Sequence, residues 1–108
     1  MPDKIIAKID QQIGSLQRAL AGLGPMRPGT LSRQYRQPAD QEGGYWQLSY
    51  TYRRRSSTEN VREEELAQVR AELEEYRRFK ELGAAWVDLA LQRARHHRQL
   101  TRRKSRQS

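Results

Sequence analysis

The sequence contains no cysteine, so its 108 residues cannot form a disulfide framework or a thiolate metal site. Only 35% of the residues are apolar and 7% are aromatic, and the mean hydropathy is −1.06. So few apolar side chains build only a thin core, which favours an elongated chain, disordered ends or an obligate partner over a compact monomer. No apolar run has the length of a signal-peptide core or a membrane span, so we predict a cytoplasmic protein without membrane contact.

Catalytic motifs are also missing. The chain has no glycine-rich phosphate loop, no nucleophile with a base at a plausible spacing, and no His/Asp pattern of a metal site. Seven glutamates lie between positions 63 and 81, and most are expected on the solvated face of a helix. On a helix, the neighbours His96 and His97 would point about 100° apart, so they are expected to be incidental polar residues. We therefore predict no enzyme, no catalytic residue, no metal and no cofactor.

Positive charge is concentrated at one end of the chain. The 21 Lys and Arg exceed the 13 Asp and Glu, which gives a formal net charge of +8. Residues 1–91 sum to only +1, whereas residues 92–108 carry seven basic residues and no acidic residue. Such asymmetry is typical of a scaffold with a basic arm that contacts a polyanion. A solvated tail that only keeps the protein in solution would have the same composition.

The first predicted element is an amphipathic helix. Apolar residues recur from Ile6 to Leu23 at alternating steps of three and four, which places them in one stripe that faces a partner helix. Asp3 is the expected N-cap, and Gly24-Pro25 is the expected stop.

Residues 24–44 contain repeated Pro and Gly and no sustained period, which predicts an ordered connection. One helical turn is expected around Thr30–Tyr35, with Thr30 as its cap.

A β-hairpin is predicted next. Residues Tyr45–Tyr52 alternate between two faces, Arg53-Arg54 would form the turn, and Arg55–Val61 would be the returning strand. The turn has no Gly or Asn, the residues that most readily supply the positive φ of a tight two-residue turn. The buried face of the first strand would carry Trp46, Leu48, Tyr50 and Tyr52.

A long helix is predicted from about residue 63 to 97, with apolar residues at steps of mostly three and four. It would be about 50 Å long, against about 30 Å for the first helix, so the short helix cannot cover it. Some of its apolar side chains must meet the hairpin, a second copy of the chain or another protein. The residues predicted for this interface are Phe79, Leu82 and Trp86.

The sequence thus predicts an α+β fold that is mostly helical: an N-terminal helix, a β-hairpin and a long C-terminal helix with a disordered basic tail. One domain would cover residues 1–98, and a flexible basic tail would cover residues 99–108.

Several segments between about residues 26 and 90 occur in a recognisable order: Gly29-Thr30-Leu31, Gln34-Tyr35, Gly44–Tyr50, Glu64-Glu65-Leu66, Val69-Arg70 and Tyr76–Leu82. This order resembles a family of small bacterial and archaeal proteins known only as a domain of unknown function. Its members are often encoded near transposases or integrases, so the resemblance implies an association with mobile DNA and no reaction. Typical members have a cysteine cluster where this chain has Arg36–Gly43, so no metal ligands carry over.

Two sets of basic residues are candidate nucleic-acid contacts. Arginines at a hairpin tip could reach phosphates or base edges, since a two-stranded ribbon fits a major groove. An exposed turn that only prevents edge aggregation would look the same. A basic C-terminal arm could follow a phosphate backbone without reading sequence. The residues are Arg53, Arg54 and Arg55 at the tip, and Arg93, Arg95, Arg98, Arg102, Arg103, Lys104 and Arg106 in the arm.

From these features we predict a non-enzymatic nucleic-acid-binding accessory protein, with DNA favoured over RNA. The alternative is a protein-interaction module whose long helix binds a transposase, an integrase or a second copy of the chain as a homodimer.

Overall fold

The computed structural model describes residues 3–35 and 43–107, the last two of them in their backbone alone. Its fold is the predicted α+β arrangement of an N-terminal helix, a β-hairpin and a long C-terminal helix, with one additional strand. The elements in chain order are α1 (Lys4–Ala21), β1 (Thr30–Gln34), β2 (Tyr45–Tyr52), β3 (Arg55–Val61), a 3₁₀ turn (Glu63–Glu65) and α2 (Leu66–Gln107).

The chain forms two compact units, and α2 contributes to both. The helical unit comprises Met1–Leu23 and Phe79–Ser108, and the sheet unit comprises Gly24–Arg78. The single domain expected over residues 1–98 therefore corresponds to the sheet unit and part of the helical unit.

Helix α1 begins at the predicted cap. Asp3 Oδ1 accepts hydrogen bonds from the backbone N–H groups of Ile5 and Ile6, each at 2.9 Å. These bonds satisfy two of the donors that the first turn of a helix leaves unpaired. The helix ends at Ala21 with Gly22 as its C-cap, slightly before the expected Gly24-Pro25 stop.

Strands β1, β2 and β3 form one antiparallel sheet in that order. The hairpin is confirmed, and Tyr52 pairs with Arg55 across a two-residue turn. The helical turn expected around Thr30–Tyr35 is wrong, because residues Thr30–Gln34 form β1 and pair with β2. Leu31 is the one apolar residue among these five, so the segment has no alternation that would predict a strand. It forms a strand because it pairs with β2.

The core of the sheet unit lies between one sheet face and the first turns of α2. Leu48 is 0% exposed, and Val61 and Val69 are also buried. Half-buried residues complete this cluster: Leu31, Trp46, Leu66 and Leu73. On the predicted aromatic face, Tyr50 is half-buried, but Tyr52 at the end of the hairpin is 57% exposed.

Helix α2 continues well beyond its expected end near residue 97. Residues 99–107, expected within a flexible tail over 99–108, are the last turns of this helix, and Ser108 lies outside the described residues. Arg, Lys and Gln are good helix formers, and extending an existing helix avoids the cost of a new nucleus. Basic side chains also interact favourably with the C-terminal end of a helix. Within the described ranges, no helix combines the length and apolar character needed to cross a membrane.

Gly29 is required where the chain enters β1. Its φ is +141°, a conformation that L side chains rarely adopt. A Cβ atom here would lie 2.8 Å from Leu48 Cδ1 and 3.1 Å from the Ser49 carbonyl oxygen. The central core residue and the β2 backbone thus leave no room for a side chain.

We expect Gly29→Ala to lower the free energy of unfolding by about 2 kcal/mol or more, because it adds backbone strain and a clash. Urea unfolding followed by tryptophan fluorescence measures the change. Gly83→Ala is the control, since nothing lies within 4 Å of a Cβ at this position of α2. It should raise stability by about 0.5–1 kcal/mol. Equal effects of the two substitutions would contradict this account of Gly29.

Candidate nucleic-acid interface

The hairpin tip contains two residues in an unusual backbone conformation. Arg53 and Arg54 have φ angles of 51° and 66°. Two consecutive positive φ angles are the pattern of a type I′ turn, whose twist suits a hairpin and whose favoured sequence is Asn-Gly. For other L-residues this conformation costs about 1–2 kcal/mol per residue. Arginine therefore occupies two positions at which the fold alone favours other residues.

The tip arginines carry charge that no described carboxylate neutralises. Arg53, Arg54 and Arg55 are exposed, and none forms an ion pair within the described part of the chain. The Arg53 guanidinium lies over the Tyr52 ring, 5.4 Å from its centroid. The tip is thus a positive site with an aromatic ring beside it.

Other arginines of the sheet unit have structural partners. Arg33 and Arg70 lie over the Trp46 ring, at 5.3 Å and 5.0 Å from its centroid. Arg27 lies 3.3 Å from Glu59 and 3.9 Å from Glu72. These contacts hold the sheet, the connection and α2 together, and they distinguish Arg27, Arg33 and Arg70 from the tip arginines.

An open cleft of about 240 Å³, which we call the tyrosine cleft, lies in the sheet unit near the end of the hairpin. Backbone contacts position one wall, since the Gly24 N–H donates to Glu75 Oε2 at 2.7 Å and the Arg27 N–H donates to the Glu72 carbonyl at 3.2 Å. The lining residues are Arg27, Pro28, Tyr50, Tyr52 and Tyr76.

The sequence placed only Tyr50 and Tyr52 on a common face. The other lining residues come from the connection and from α2, and no local pattern indicates that these segments meet. Arg55 is the direct cross-strand partner of Tyr52 and shares its face, so a positive residue stands beside the cleft.

The second basic site is on α2 in the helical unit. Arg95, Arg98 and Arg102 are three and four residues apart and share one face of the helix. Arg106 follows at the next step of four, although only its backbone is described. We call these four residues the arginine face of α2. The described side chains of this face, and those of Arg103 and Lys104, are exposed and make no ion pair with a described carboxylate.

Arg93 differs from the rest of the predicted arm because it contacts α1. Its Nε donates to Asp10 Oδ1 at 2.6 Å, and its Nη2 lies 3.3 Å from Asp10 Oδ2. This contact raises the pKa of Arg93 and holds the pKa of Asp10 below its ordinary value. The guanidinium fork of Arg93 is therefore occupied within the protein.

A second contact between the helices involves the cap of α1. His96 Nε2 lies 3.0 Å from Asp3 Oδ1. The hydrogen bond from Ile6 is the largest effect that lowers the pKa of Asp3, and the contact with His96 adds to it. The sequence predicts His96 to be incidental, because it and His97 point in different directions on a helix. Its contact with Asp3 was not predicted, since the register between two helices is not visible in the pattern of either one.

The three residues predicted as an interface lie on α2 in the helical unit. Leu82 and Trp86 are half-buried, and Phe79 is 44% exposed. Two apolar residues that were not predicted are also exposed: Val87 at 58% and Leu91 at 48%. This part of α2 thus exposes apolar surface at Phe79, Val87 and Leu91.

No protein-family model, curated protein or solved structure matches the chain. The resemblance to the family associated with mobile DNA therefore stays a prediction. Residues 36–42, most of the stretch where that family carries cysteines, lie outside the described residues. In the part of the chain that the structure describes, no three His, Asp or Glu side chains are grouped so that they could hold a metal ion.

We expect Asp10→Asn to reduce the acid sensitivity of the helical unit. The pKa of Asp10 is lower in the folded protein than in the unfolded chain, where it is about 4. The ionised carboxylate therefore stabilises the folded state fully above about pH 4, and this stabilisation is lost as the pH falls through the folded-state pKa. The melting temperature of Asp10→Asn should fall less between about pH 5 and pH 3 than the melting temperature of the wild type.

Arg93→Gln breaks the same contact from the other side and should have a similar effect. The double variant should lose little more than either single variant, because the two residues share one interaction. Fully additive losses would contradict the pairing of Asp10 with Arg93.

Proposed function

We propose that this protein binds nucleic acid without catalysing a reaction, through the arginine hairpin tip and the arginine face of α2. The observation that carries the proposal is the turn at Arg53 and Arg54. Strained backbone is retained where surrounding structure enforces it and where the side chains serve a purpose beyond folding. Two adjacent arginines at positions that favour Asn-Gly point to such a purpose.

The chemistry of both basic sites suits phosphate. Guanidinium groups form bidentate, charge-assisted hydrogen bonds with phosphate oxygens, and these groups have no described carboxylate partner. One such site is enough to bind a small anion. This protein has two, one in the sheet unit and one in the helical unit. Repeated sites of one sign favour a polymer with many phosphates.

The arginine face of α2 supports contact with a phosphate backbone rather than with particular bases. From Arg95 to Arg106 it extends about 16 Å along the helix. Evenly spaced cations of this kind neutralise phosphates and give affinity that depends on salt but little on sequence. We expect a dissociation constant in the range of about 10⁻⁴ to 10⁻⁶ M at physiological salt.

DNA is favoured over RNA in this proposal. A two-stranded ribbon or a helix fits the major groove of B-form DNA, whereas the major groove of an RNA duplex is deep and narrow. The resemblance described above supports an association with mobile DNA, and a cytoplasmic location belongs to the same proposal.

A second candidate function is a protein-interaction module built on α2. It is favoured by the exposure of Phe79, Val87 and Leu91, since apolar residues grouped on one helix often mark an interface. Its partner would be a second copy of the chain, a transposase or an integrase. The binding measurements below separate the candidates, because a module whose only partner is a protein would leave nucleic acid unbound.

The double variant Arg53→Asn/Arg54→Gly tests the hairpin tip. It should raise the free energy of unfolding by about 1–2 kcal/mol, because Asn-Gly suits the turn. It should also weaken binding to a short DNA duplex and reduce the slope of log K against log[salt] by about 2. Urea unfolding measures the stability, and fluorescence anisotropy at several salt concentrations measures the affinity and its salt slope.

The matched control is Arg77→Gln/Arg78→Gln, which removes two positive charges from arginines that pair with Glu74 and Glu75 in the same unit. Its salt slope should stay close to that of the wild type. A tip variant that is more stable and binds unchanged would show that the tip is only a turn.

The triple variant Arg95→Gln/Arg98→Gln/Arg102→Gln tests the arginine face. Its salt slope should fall by about 3, because each phosphate contact contributes about 0.9. The control Lys4→Gln/Lys8→Gln/Arg18→Gln removes the same charge from exposed positions of α1 in the same unit. If both variants lose affinity equally, general charge and not this face explains the binding.

A further inference from the structure

We infer that the tyrosine cleft binds an unpaired base of the nucleic acid whose phosphates contact the tip arginines. The inference rests on the proposed function, and it adds a preference for single-stranded segments. It is carried by the placement of an aromatic, nearly neutral cleft beside unneutralised positive charge.

The walls of the cleft suit a flat aromatic group. Tyr50, Tyr52 and Tyr76 contribute phenol rings, and Pro28 adds an apolar surface. The volume of about 240 Å³ is below the roughly 300–1,000 Å³ of sites that enclose a whole small molecule. One planar ring system is therefore a better occupant than a larger ligand.

The distribution of charge matches a nucleotide. Within the cleft, Arg27 is neutralised by Glu59 and Glu72, so the cleft itself does not attract an anion. At its border, Arg53 lies over the Tyr52 ring, and Arg55 shares the face of Tyr52. A neutral base in the cleft would place its charged backbone toward these guanidinium groups.

A proline-rich peptide is the main competing occupant, since such peptides dock in aromatic grooves. It would leave the charge of the tip arginines unmatched, which is why we favour a nucleotide. The base must be unpaired, because a base within a duplex is stacked on its neighbours and cannot offer its faces to a protein ring.

Hydrogen bonding in the cleft is compatible with any base. The hydroxyl groups of Tyr50 and Tyr52 make no hydrogen bond to another described residue. Each can rotate to donate to or accept from the edge of a base. Stacking on tyrosine adds affinity without strong sequence preference, because every base has a π face.

The test compares the full chain with its Tyr52→Ala variant in binding to a short oligothymidine and to a duplex of the same length. Tyr52→Ala should weaken binding to the oligothymidine about 5- to 150-fold, the range expected for the loss of one stacked base. The salt slope should not change, because stacking releases no counterions. Binding to the duplex should be weakened much less than binding to the oligothymidine, because the stacked bases of a duplex cannot enter the cleft.

Two variants serve as controls. Tyr52→Phe keeps the ring and should retain most of the affinity. Tyr45→Ala removes a tyrosine from the same strand but from the opposite face of the sheet, so it should bind like the wild type. Circular dichroism checks that each variant is folded, and the exposure of Tyr52 makes its replacement compatible with the fold.

The outcomes separate the inference from the proposed function. If the wild type binds neither nucleic acid, the proposed function fails. If it binds both but Tyr52→Ala binds the oligothymidine unchanged, only the inference is overturned. Saturable binding of a polyproline peptide that depends on Tyr52, without an effect of Tyr52→Ala on the oligothymidine, would assign the cleft to peptides.

Discussion

The packing of Leu48 against Val61 and Val69 is the contact on which the sheet unit depends. Leu48 is fully buried, and the cluster around it joins the middle strand, one edge strand and the first turns of α2. Such a small core covers only part of one sheet face. Tyr50 and Tyr52 lie farther along β2 than this cluster, toward the turn, so their rings remain accessible. The tyrosine cleft is therefore a consequence of a core that is shorter than the hairpin.

The same hairpin explains how the strained turn persists. Seven residue pairs join β2 to β3, and their hydrogen bonds and side-chain contacts outweigh about 1–2 kcal/mol of strain at each of Arg53 and Arg54. Asn-Gly fits the same turn at lower cost, so the fold itself does not require arginine at these two positions. The rest of the hairpin has residues that suit its structure, and only these two arginines do not. Such a position is a reasonable place to look for a function.

The sequence predicted elements with strong periods and missed features that arise from pairing. The alternation of polar and apolar residues predicted both ends of β2 correctly, and Asp3 was correctly predicted as the N-cap of α1. In contrast, β1 contains a single apolar residue, Leu31, and becomes a strand only because β2 lies beside it. The tyrosine cleft combines residues from three separate segments. The contact of Arg93 with Asp10 depends on the register of two helices, and no pattern in one helix reveals that register.

The continuation of α2 changes how the basic end of the chain can act. A flexible tail must lose conformational freedom when it binds, whereas residues already in a helix do not. The helix holds Arg95, Arg98 and Arg102 at regular spacing without a ligand, whereas Arg93 is paired with Asp10 of α1. Phosphate contacts position a nucleic acid, and base contacts give preference among nucleic acids. Under the proposed function, the arginine face would supply only phosphate contacts, and any selectivity would come from the hairpin and its cleft.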